Sequence, residues 1–168
     1  KETAQALGYE EIVFLDDMVK EDDVIGICCD YVIKHEEYPV AVAAFGNNKT
    51  RLFWTDKLLE EGYEVPAIVH PSAVVSPSVT LEPGCFIMQR SVVNTNTKIE
   101  RAALGNSGAV VDHNSVVCAG AHVGLGSVVK ANCTIESGRK VEAGEVIFST
   151  RRKIEGVDSR SLEDAVYA

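Results

Sequence analysis

Residues 110–127 read VVDHNS, VVCAGA and HVGLGS, three blocks of six with valine in the second place of each. Counting in sixes in both directions extends this order over a long region, because thirteen of the fourteen positions at this phase are aliphatic. The aliphatic positions are Val69, Val75, Leu81, Ile87, Val93, Ile99, Val111, Val117, Val123, Val129, Ile135, Val141 and Ile147, and the exception is Gly105. A repeat this regular outranks local propensity as a guide to the fold.

The period of six excludes a helix, in which every sixth residue would visit three faces in turn. It suits β-strands, because an even period keeps the side chains on one face. Small residues mostly stand two places before each aliphatic position, and glycine or asparagine, which tolerate left-handed backbone, often stand three places before it. The pattern therefore predicts strands with regular corners, an all-β solenoid over 69–149, with a local bulge at Gly105.

The net negative charge of the chain belongs entirely to its first part. The 168 residues include 16 Lys and Arg against 25 Asp and Glu, a formal net charge of −9. Residues 1–68 hold 6 of the former and 15 of the latter, which is −9, while residues 69–168 hold 10 of each and are neutral. With Pro66 and Pro71 beside it, this change predicts a domain boundary after Ile68.

The acidic unit, residues 1–68, alternates between helical and extended patterns. The segments are the end of a helix at 1–8, strands at 11–15 and 40–45, and an amphipathic helix at 51–61. We expect a small, Rossmann-like parallel α/β sheet, in which ligands bind at the carboxyl ends of the strands. The residues directly after the two predicted strands are Asp16, Asp17, Gly46, Asn47 and Asn48.

Composition excludes several classes of partner and location. The acidic balance repels the phosphate backbone of nucleic acids. No apolar run approaches the roughly 20 residues that cross a bilayer, which excludes a membrane partner. The five cysteines show neither a disulfide framework nor a metal-ligand spacing. We expect a cytoplasmic protein with reduced thiols.

Two histidines, His113 and His122, lie inside the repeat at positions where packing does not require one. Each of them could be an ordinary surface or interface residue, or it could be catalytic. Their spacing of nine is half of an 18-residue coil of three hexads, so the two imidazoles of one subunit should project from opposite sides. Packing identical subunits side by side would bring His113 of one to His122 of the next. We therefore expect a site between subunits.

The repeat resembles that of the hexapeptide-repeat acyltransferases, whose fold is a left-handed parallel β-helix, and the resemblance covers 69–149. The segments NSGAVVDHN at 106–114 and GAHV at 120–123 are similar to the branch that acetylates bacterial sugars. That branch includes sialic acid O-acetyltransferases and the UDP-amino-sugar N-acetyltransferases of bacillosamine synthesis. The resemblance implies a homotrimer, acetyl-CoA as co-substrate, a sugar or nucleotide sugar as acceptor, and no metal.

The resemblance also implies roles for residues of the repeat. His113 corresponds to the general base, Asn106 to a residue beside the acceptor, and His122 to a contact of acetyl-CoA. Ala143 falls where relatives offer main chain to the pantetheine arm, although Glu142 replaces a glycine that is common there.

The residues that flank the base depart from the family pattern. Some relatives carry a carboxylate directly after the base, whereas Asn114 follows His113 and Asp112 precedes it. Asp112 could hold the tautomer of the imidazole, but adjacent residues on a strand point to opposite faces. We keep both flanking residues as candidates for assisting the base.

In the same sugar acetyltransferases the α/β domain binds the UDP-sugar. The resemblance thus assigns substrate binding to Asp16, Asp17, Gly46 and Asn47. The opening strand of that domain and its Gly-rich, His-containing loop have no counterpart here, so the chain is expected to start inside the first helix.

These features predict direct acetyl transfer from acetyl-CoA to an amine or hydroxyl of a sugar, with His113 as the base. No activating partner is evident for Cys118, so a covalent acyl-enzyme is not expected. Two alternatives remain open. One is a zinc enzyme resembling the γ-class carbonic anhydrases, and the other is a non-catalytic solenoid used for assembly.

The last segment, 150–168, is expected to be a tail. It contains a basic cluster, Arg151, Arg152 and Lys153, and a capping-box pattern from Ser161 that predicts a short helix.

Overall fold

The computed structural model describes residues 1–149, so the features predicted for 150–168 lie outside the described residues. The elements of the first part are α1 (Glu2–Ala6), β1 (Phe14–Leu15), β2 (Val24–Gly26), a 3₁₀ turn (Cys28–Asp30), α2 (Tyr31–Lys34) and α3 (Asn48–Glu61). Two-residue strands follow: β3 (Ile68–Val69), β4 (Val74–Val75), β5 (Thr80–Leu81), β6 (Phe86–Ile87), β7 (Val92–Val93), β8 (Lys98–Ile99), β9 (Leu104–Gly105), β10 (Val110–Val111), β11 (Val116–Val117), β12 (His122–Val123), β13 (Val128–Val129), β14 (Thr134–Ile135), β15 (Lys140–Val141) and β16 (Val146–Ile147).

The strands from β3 to β16 form a left-handed parallel β-helix of about four turns. Each strand pairs in parallel with the strand three places further along the chain, so Val111 pairs with Val93 on one side and Val129 on the other. This register of 18 residues builds three sheets, β3-β6-β9-β12-β15, β4-β7-β10-β13-β16 and β5-β8-β11-β14. The predicted solenoid is confirmed.

The interior of the solenoid is dry and aliphatic. In the middle coils the side chains at the period-six phase, such as Ile87, Val117 and Ile135, are at most 1% exposed, while those at the two ends are partly buried. The hydroxyl residues inside it are buried as well, and each donates to a backbone carbonyl, as Ser91 does to Asn106 at 2.8 Å. Buried polar groups that find partners in this way cost little stability.

The corners occupy left-handed backbone at one phase of the repeat. Positive φ angles occur at Gly84, Arg90, Asn96, Ala102, Gly108, Asn114, Gly120, Gly126, Asn132, Gly138 and Gly144. The sequence pattern predicts glycine and asparagine at these corners. It does not predict Arg90 and Ala102, because neither residue type favours this conformation.

The bulge predicted at Gly105 is wrong. Gly105 pairs in register with Ile87 and Val123, so β9 continues the sheet without interruption. A Cβ atom at this position would lie 3.3 Å from Cδ1 of Ile87. The larger side chain of the neighbouring coil therefore fills the space that an aliphatic residue would take here.

The acidic unit has fewer paired strands than predicted. The strand expected at 11–15 is reduced to β1, which pairs in parallel with β2. The buried strand predicted at 40–45 is not formed, and only an isolated parallel bridge joins Val40 to Glu64. A strand needs a hydrogen-bonded neighbour along its length, and the described residues supply one only at this bridge.

The helix α3 begins earlier than predicted because Asn47 caps it. The side chain of Asn47 accepts a hydrogen bond from the Thr50 backbone, and Gly62 ends the helix with φ 95°. Leu58 on this helix packs with Ala43 and Tyr63 into a small second core.

The three faces of the solenoid have different outward side chains, because the first residue of each strand points away from the interior. The covered face carries Ile68, Phe86, Leu104, His122 and Lys140, and the acidic unit packs over its first part. The valine face carries Val74, Val92, Val110, Val128 and Val146. The polar face carries Thr80, Lys98, Val116 and Thr134, with ion pairs from Lys98 to Glu82 and Glu100.

Candidate functional site

His113 lies at an exposed corner directly after β10. Its ring nitrogen Nδ1 is 3.0 Å from the side-chain amide of Asn114. Asn114 has φ 55°, a left-handed conformation that asparagine tolerates and that turns its side chain back to the preceding ring. The family carboxylate is thus replaced at this place by an amide in contact with the imidazole.

Asp112 does not contact the imidazole of His113. Its Oδ1 accepts from the side chain of Asn94 at 3.0 Å and from the backbone N–H of His113 at 2.8 Å. These two hydrogen bonds, the one from Asn94 first, lower the pKa of Asp112. Asp112 therefore stabilises the backbone of His113, while Asn114 contacts its ring.

His122 and Asn106 form the second part of the candidate site. Both point outward from the covered face, on adjacent coils, and Nε2 of His122 is 3.2 Å from the side-chain amide of Asn106. Burial lowers the pKa of His122, and the positive charges of Arg51 and Lys140 lower it further against an opposing effect of Glu142. The imidazole at this position is therefore kept neutral near pH 7.

The two histidines belong to different sheets of the solenoid. His122 begins β12 on the covered face, whereas His113 follows β10 on the valine face. Within one chain their ring nitrogens have separate partners, Asn114 for the one and Asn106 for the other. That the two histidines meet between subunits stays a prediction.

A cavity of about 720 Å³ lies between the acidic unit and the covered face. Its lining includes Asp16 after β1, Gly46 before α3, and Asn106 of the solenoid, together with many apolar side chains. Three of the residues that the resemblance assigned to the substrate thus face one space.

The remaining polar groups of the acidic unit are used locally. The carboxylate of Asp16 accepts from the N–H groups of Met18 and Val19, which lowers its pKa. Asp17 accepts from the Cys28 backbone at 2.9 Å. The side-chain oxygen of Asn47 is occupied as the cap of α3, so ligand binding by this residue would use its amide nitrogen or its backbone.

Ala143 is exposed in the last described coil, directly above Gly124 of the preceding one. A Cβ atom on Gly124 would lie 3.0 Å from the backbone nitrogen of Ala143 and 2.9 Å from the carbonyl carbon of Glu142. Glycine at 124 therefore allows the two coils to stack closely beneath the turn that was predicted to meet pantetheine.

The described residues give little support to catalysis by a cysteine nucleophile or a bound metal ion. Burial, and then the nearby Glu100, raise the pKa of Cys118, which makes this thiol a poor nucleophile. Within residues 1–149 no group of three or more His, Cys, Asp and Glu is arranged to hold a metal ion. In the same part of the chain no helix is long and apolar enough to cross a membrane.

The sequence pattern did not predict that Arg51 is buried against the solenoid. It was expected to be an ordinary residue of an amphipathic helix, yet it is 1% exposed and hydrogen-bonds to two coils of the solenoid. The sequence did contain an indication of this packing, because small corner residues recur every 18 positions, at Gly84, Ala102 and Gly120. A row of small residues indicates an edge against which another segment of the chain packs.

The structure is similar to those of bacterial sugar N-acetyltransferases. PerB from Caulobacter crescentus, solved with CoA and GDP-perosamine, is 28% identical, with a TM-score of 0.75 over 88% of this chain and 81% of that chain. The acetyltransferase domain of PglB from Neisseria gonorrhoeae, solved with acetyl coenzyme A, is 29% identical, with a TM-score of 0.66 over 87% of this chain and 84% of that one. No protein-family model matches the sequence.

A third neighbour is a variant of the Caulobacter crescentus perosamine N-acetyltransferase in which a histidine is replaced by asparagine, again solved with CoA and GDP-perosamine. It is 27% identical, with a TM-score of 0.71 over 88% of this chain and 81% of that chain. The parallel β-solenoid is consistent with the hexapeptide-repeat acetyltransferases, and the similarity to acetyl-CoA-dependent sugar N-acetyltransferases supports an acyltransferase.

Proposed function

We propose that this protein transfers the acetyl group of acetyl-CoA to an amine or hydroxyl of a sugar linked to a nucleoside diphosphate, UDP or GDP. The observation that carries the proposal is the exposed imidazole of His113, held at Nδ1 by Asn114 at a corner of an acetyltransferase solenoid. The neighbours support the rest, since they were solved with CoA or acetyl-CoA, and PerB with a GDP-linked sugar.

His113 is the general base of this proposal. The oxygen and nitrogen of the Asn114 amide exchange places by a half-turn of the side chain, so Nδ1–H can donate to the amide oxygen. The lone pair of Nε2 then accepts the proton of the acceptor while its nitrogen or oxygen attacks the thioester carbonyl. The tetrahedral intermediate collapses, the C–S bond breaks and CoA leaves as a thiolate.

The remaining residues are assigned by where they lie. His122 and the main chain at Ala143 contact acetyl-CoA, and Asn106 lies beside the acceptor. Residues 1–68 form a Rossmann-like unit that holds the nucleotide near Asp16, Asp17, Gly46 and Asn47. Because that unit is acidic, backbone N–H groups supply most of the contacts to the diphosphate.

The valine face supports a homotrimer with its sites between subunits. Val74 and Val146 at its ends are 63% and 43% exposed, and all five outward positions of this sheet are valine. A stripe of this kind is typical of an interface between copies. The same packing places His113, which follows a strand of this face, toward a neighbouring subunit. We also place the reaction in the cytoplasm, where free thiols such as Cys29 persist.

The test is a transfer assay that follows thiol release from acetyl-CoA with a panel of UDP- and GDP-linked amino sugars and free sialic acids. His113→Ala should lower kcat by between about 10²- and 10⁴-fold, the range of general-base catalysis. His35→Gln, in the acidic unit and outside the residues assigned to the site, serves as the control and should retain activity. Near-full transfer by His113→Ala, or transfer to none of the sugars by the unaltered protein, would contradict the proposal.

A further inference from the structure

Arg51 is a buried cation held by carbonyl groups. Its Nε donates to the Ala102 carbonyl at 2.7 Å, one Nη donates to Phe45 at 3.0 Å, and the other donates to Gly120 at 3.0 Å. The same Nη also donates to the side-chain oxygen of Asn48 at 3.0 Å. Each of the three guanidinium nitrogens therefore donates to at least one oxygen.

No carboxylate within residues 1–149 forms an ion pair with Arg51. Burial without a counter-ion disfavours the charged form and lowers the pKa of Arg51. An apolar side chain of the same length would avoid that desolvation cost, but it would leave the carbonyls of Phe45, Ala102 and Gly120 without this donor. The charge is therefore tied to the particular backbone groups that it joins.

The carbonyls that Arg51 binds belong to three separate segments. Phe45 directly precedes Gly46 in the loop that faces the cavity, Ala102 lies four residues before Asn106, and Gly120 lies two before His122. A planar group with five donors in fixed directions ties such segments together at set distances. Asn48 extends the junction to the next coil by donating to the Gly138 carbonyl at 3.0 Å.

The positive charge of the Arg51 guanidinium also acts on the imidazole of His122. The charged groups that act on this imidazole are Arg51 from α3, Lys140 from the adjacent strand β15, and Glu142 after that strand. Asn106 is its neutral partner on the other side, at 3.2 Å. The guanidinium is held 3.0 Å from the Gly120 carbonyl, two residues before His122, and its positive charge opposes protonation of the ring.

We propose that Arg51 is a positioning residue for acetyl transfer, which sets the Asn106–His122 pair against the Gly46 loop. This inference rests on the proposed function through the assignment of His122 and Asn106 to the two substrates. Arg51 itself contacts neither of them.

Three variants separate the geometric role from the electrostatic one. Arg51→Lys keeps the charge but loses the fork, while Arg51→Met and Arg51→Gln lose the charge. The matched control is Arg101→Met, because Arg101 also joins α3 to the solenoid but does so at the surface, through Asp56 at 2.7 Å. Folding of each protein is checked by circular dichroism and urea unfolding.

We expect all three Arg51 variants to lose between about 10- and 100-fold in kcat/KM, the effect of misplacing reactive groups by about 1 Å. Arg101→Met should stay within about twofold of the unaltered protein, since exposed ion pairs contribute little. The decisive readout is the NMR titration of His122, whose pKa should rise in Arg51→Met and Arg51→Gln but not in Arg51→Lys or Arg101→Met.

Two results would overturn the proposal: folded Arg51 variants as active as Arg101→Met, or a His122 titration that is the same in all proteins. Failure of all three variants to fold would also overturn it, because Arg51 would then be a folding residue. If the unaltered protein transfers no acetyl group, the proposed function fails, and the titration still decides whether Arg51 controls the protonation of His122.

Discussion

The side-chain amide of Asn114 contacts Nδ1 of His113. At this position the resemblance to sugar acetyltransferases led us to expect a carboxylate in some relatives. An amide fixes the tautomer of the ring but offers only a partial charge to the imidazolium that forms during proton transfer. A carboxylate would stabilise that imidazolium more strongly. The chemistry of the proposed base thus depends on one side chain at a corner of the solenoid.

The first prediction concerns this contact. Asn114→Asp should raise kcat by a few-fold, about 3 to 10, because the carboxylate stabilises the protonated ring. Asn114→Gly keeps the left-handed corner but removes the partner, and it should lower kcat about tenfold. Both are measured in the thiol-release assay. Equal rates for the two variants would show that Asn114 does not orient the ring.

The second prediction follows from the lowered pKa of His122. The native state disfavours protonation of this ring, so below about pH 6.5 the unfolded state binds more protons and stability falls. His122→Asn keeps a polar partner for Asn106 but does not titrate. Urea unfolding should show that the unaltered protein loses stability relative to this variant between pH 7.5 and 5, and a constant difference would contradict the assignment.

At the scale of the elements, the hexads and their corners could be predicted from the sequence because both depend on local residue types. Glycine and asparagine mark most left-handed corners, and β-branched residues mark the strands. Ala102 could not be predicted as a corner, because the coils on either side impose its conformation. The prediction of a strand at 40–45 was wrong for a related reason. A strand must pair with a segment that is distant in the sequence, and the hydrophobicity of 40–45 does not reveal whether such a segment exists.

The third prediction tests the corners. Gly126 has φ 60°, and the place where a Cβ atom would lie is open space, so substitution there reports backbone strain alone. Gly126→Ala should destabilise the protein by about 1–2 kcal/mol in urea unfolding. Gly126→Asn should cost clearly less, because Asn96 and Asn132 adopt the same conformation in this solenoid. A reversed order would contradict the account of the corners.

At the scale of the whole molecule, the candidate site could be predicted only in part. The two histidines were found from their spacing, since nine residues is half a coil. Arg51 was not found, because its role depends on the packing of α3 against carbonyls of distant coils. Residue types in one stretch do not reveal which backbone atoms another stretch will cover.

The fourth prediction uses the difference between the faces. Val110→Lys places a charge in the middle of the valine face and should convert the oligomer to monomers, because a buried unpaired charge is costly at an interface. Val116→Lys is the matched control, since Val116 takes the same outward place on the polar face. Sedimentation velocity measures both. Monomers from the control, or an intact oligomer from Val110→Lys, would assign the interface to another face.

The central claim is that each site takes His113 from one subunit and His122 from its neighbour. It is tested by coexpressing His113→Ala and His122→Ala subunits with different tags and isolating the mixed oligomers. Each variant alone should be strongly impaired. In a mixed trimer one of the three interfaces regains both histidines, so about a third of the unaltered transfer activity should return. Mixed oligomers no more active than either parent would contradict a site between subunits.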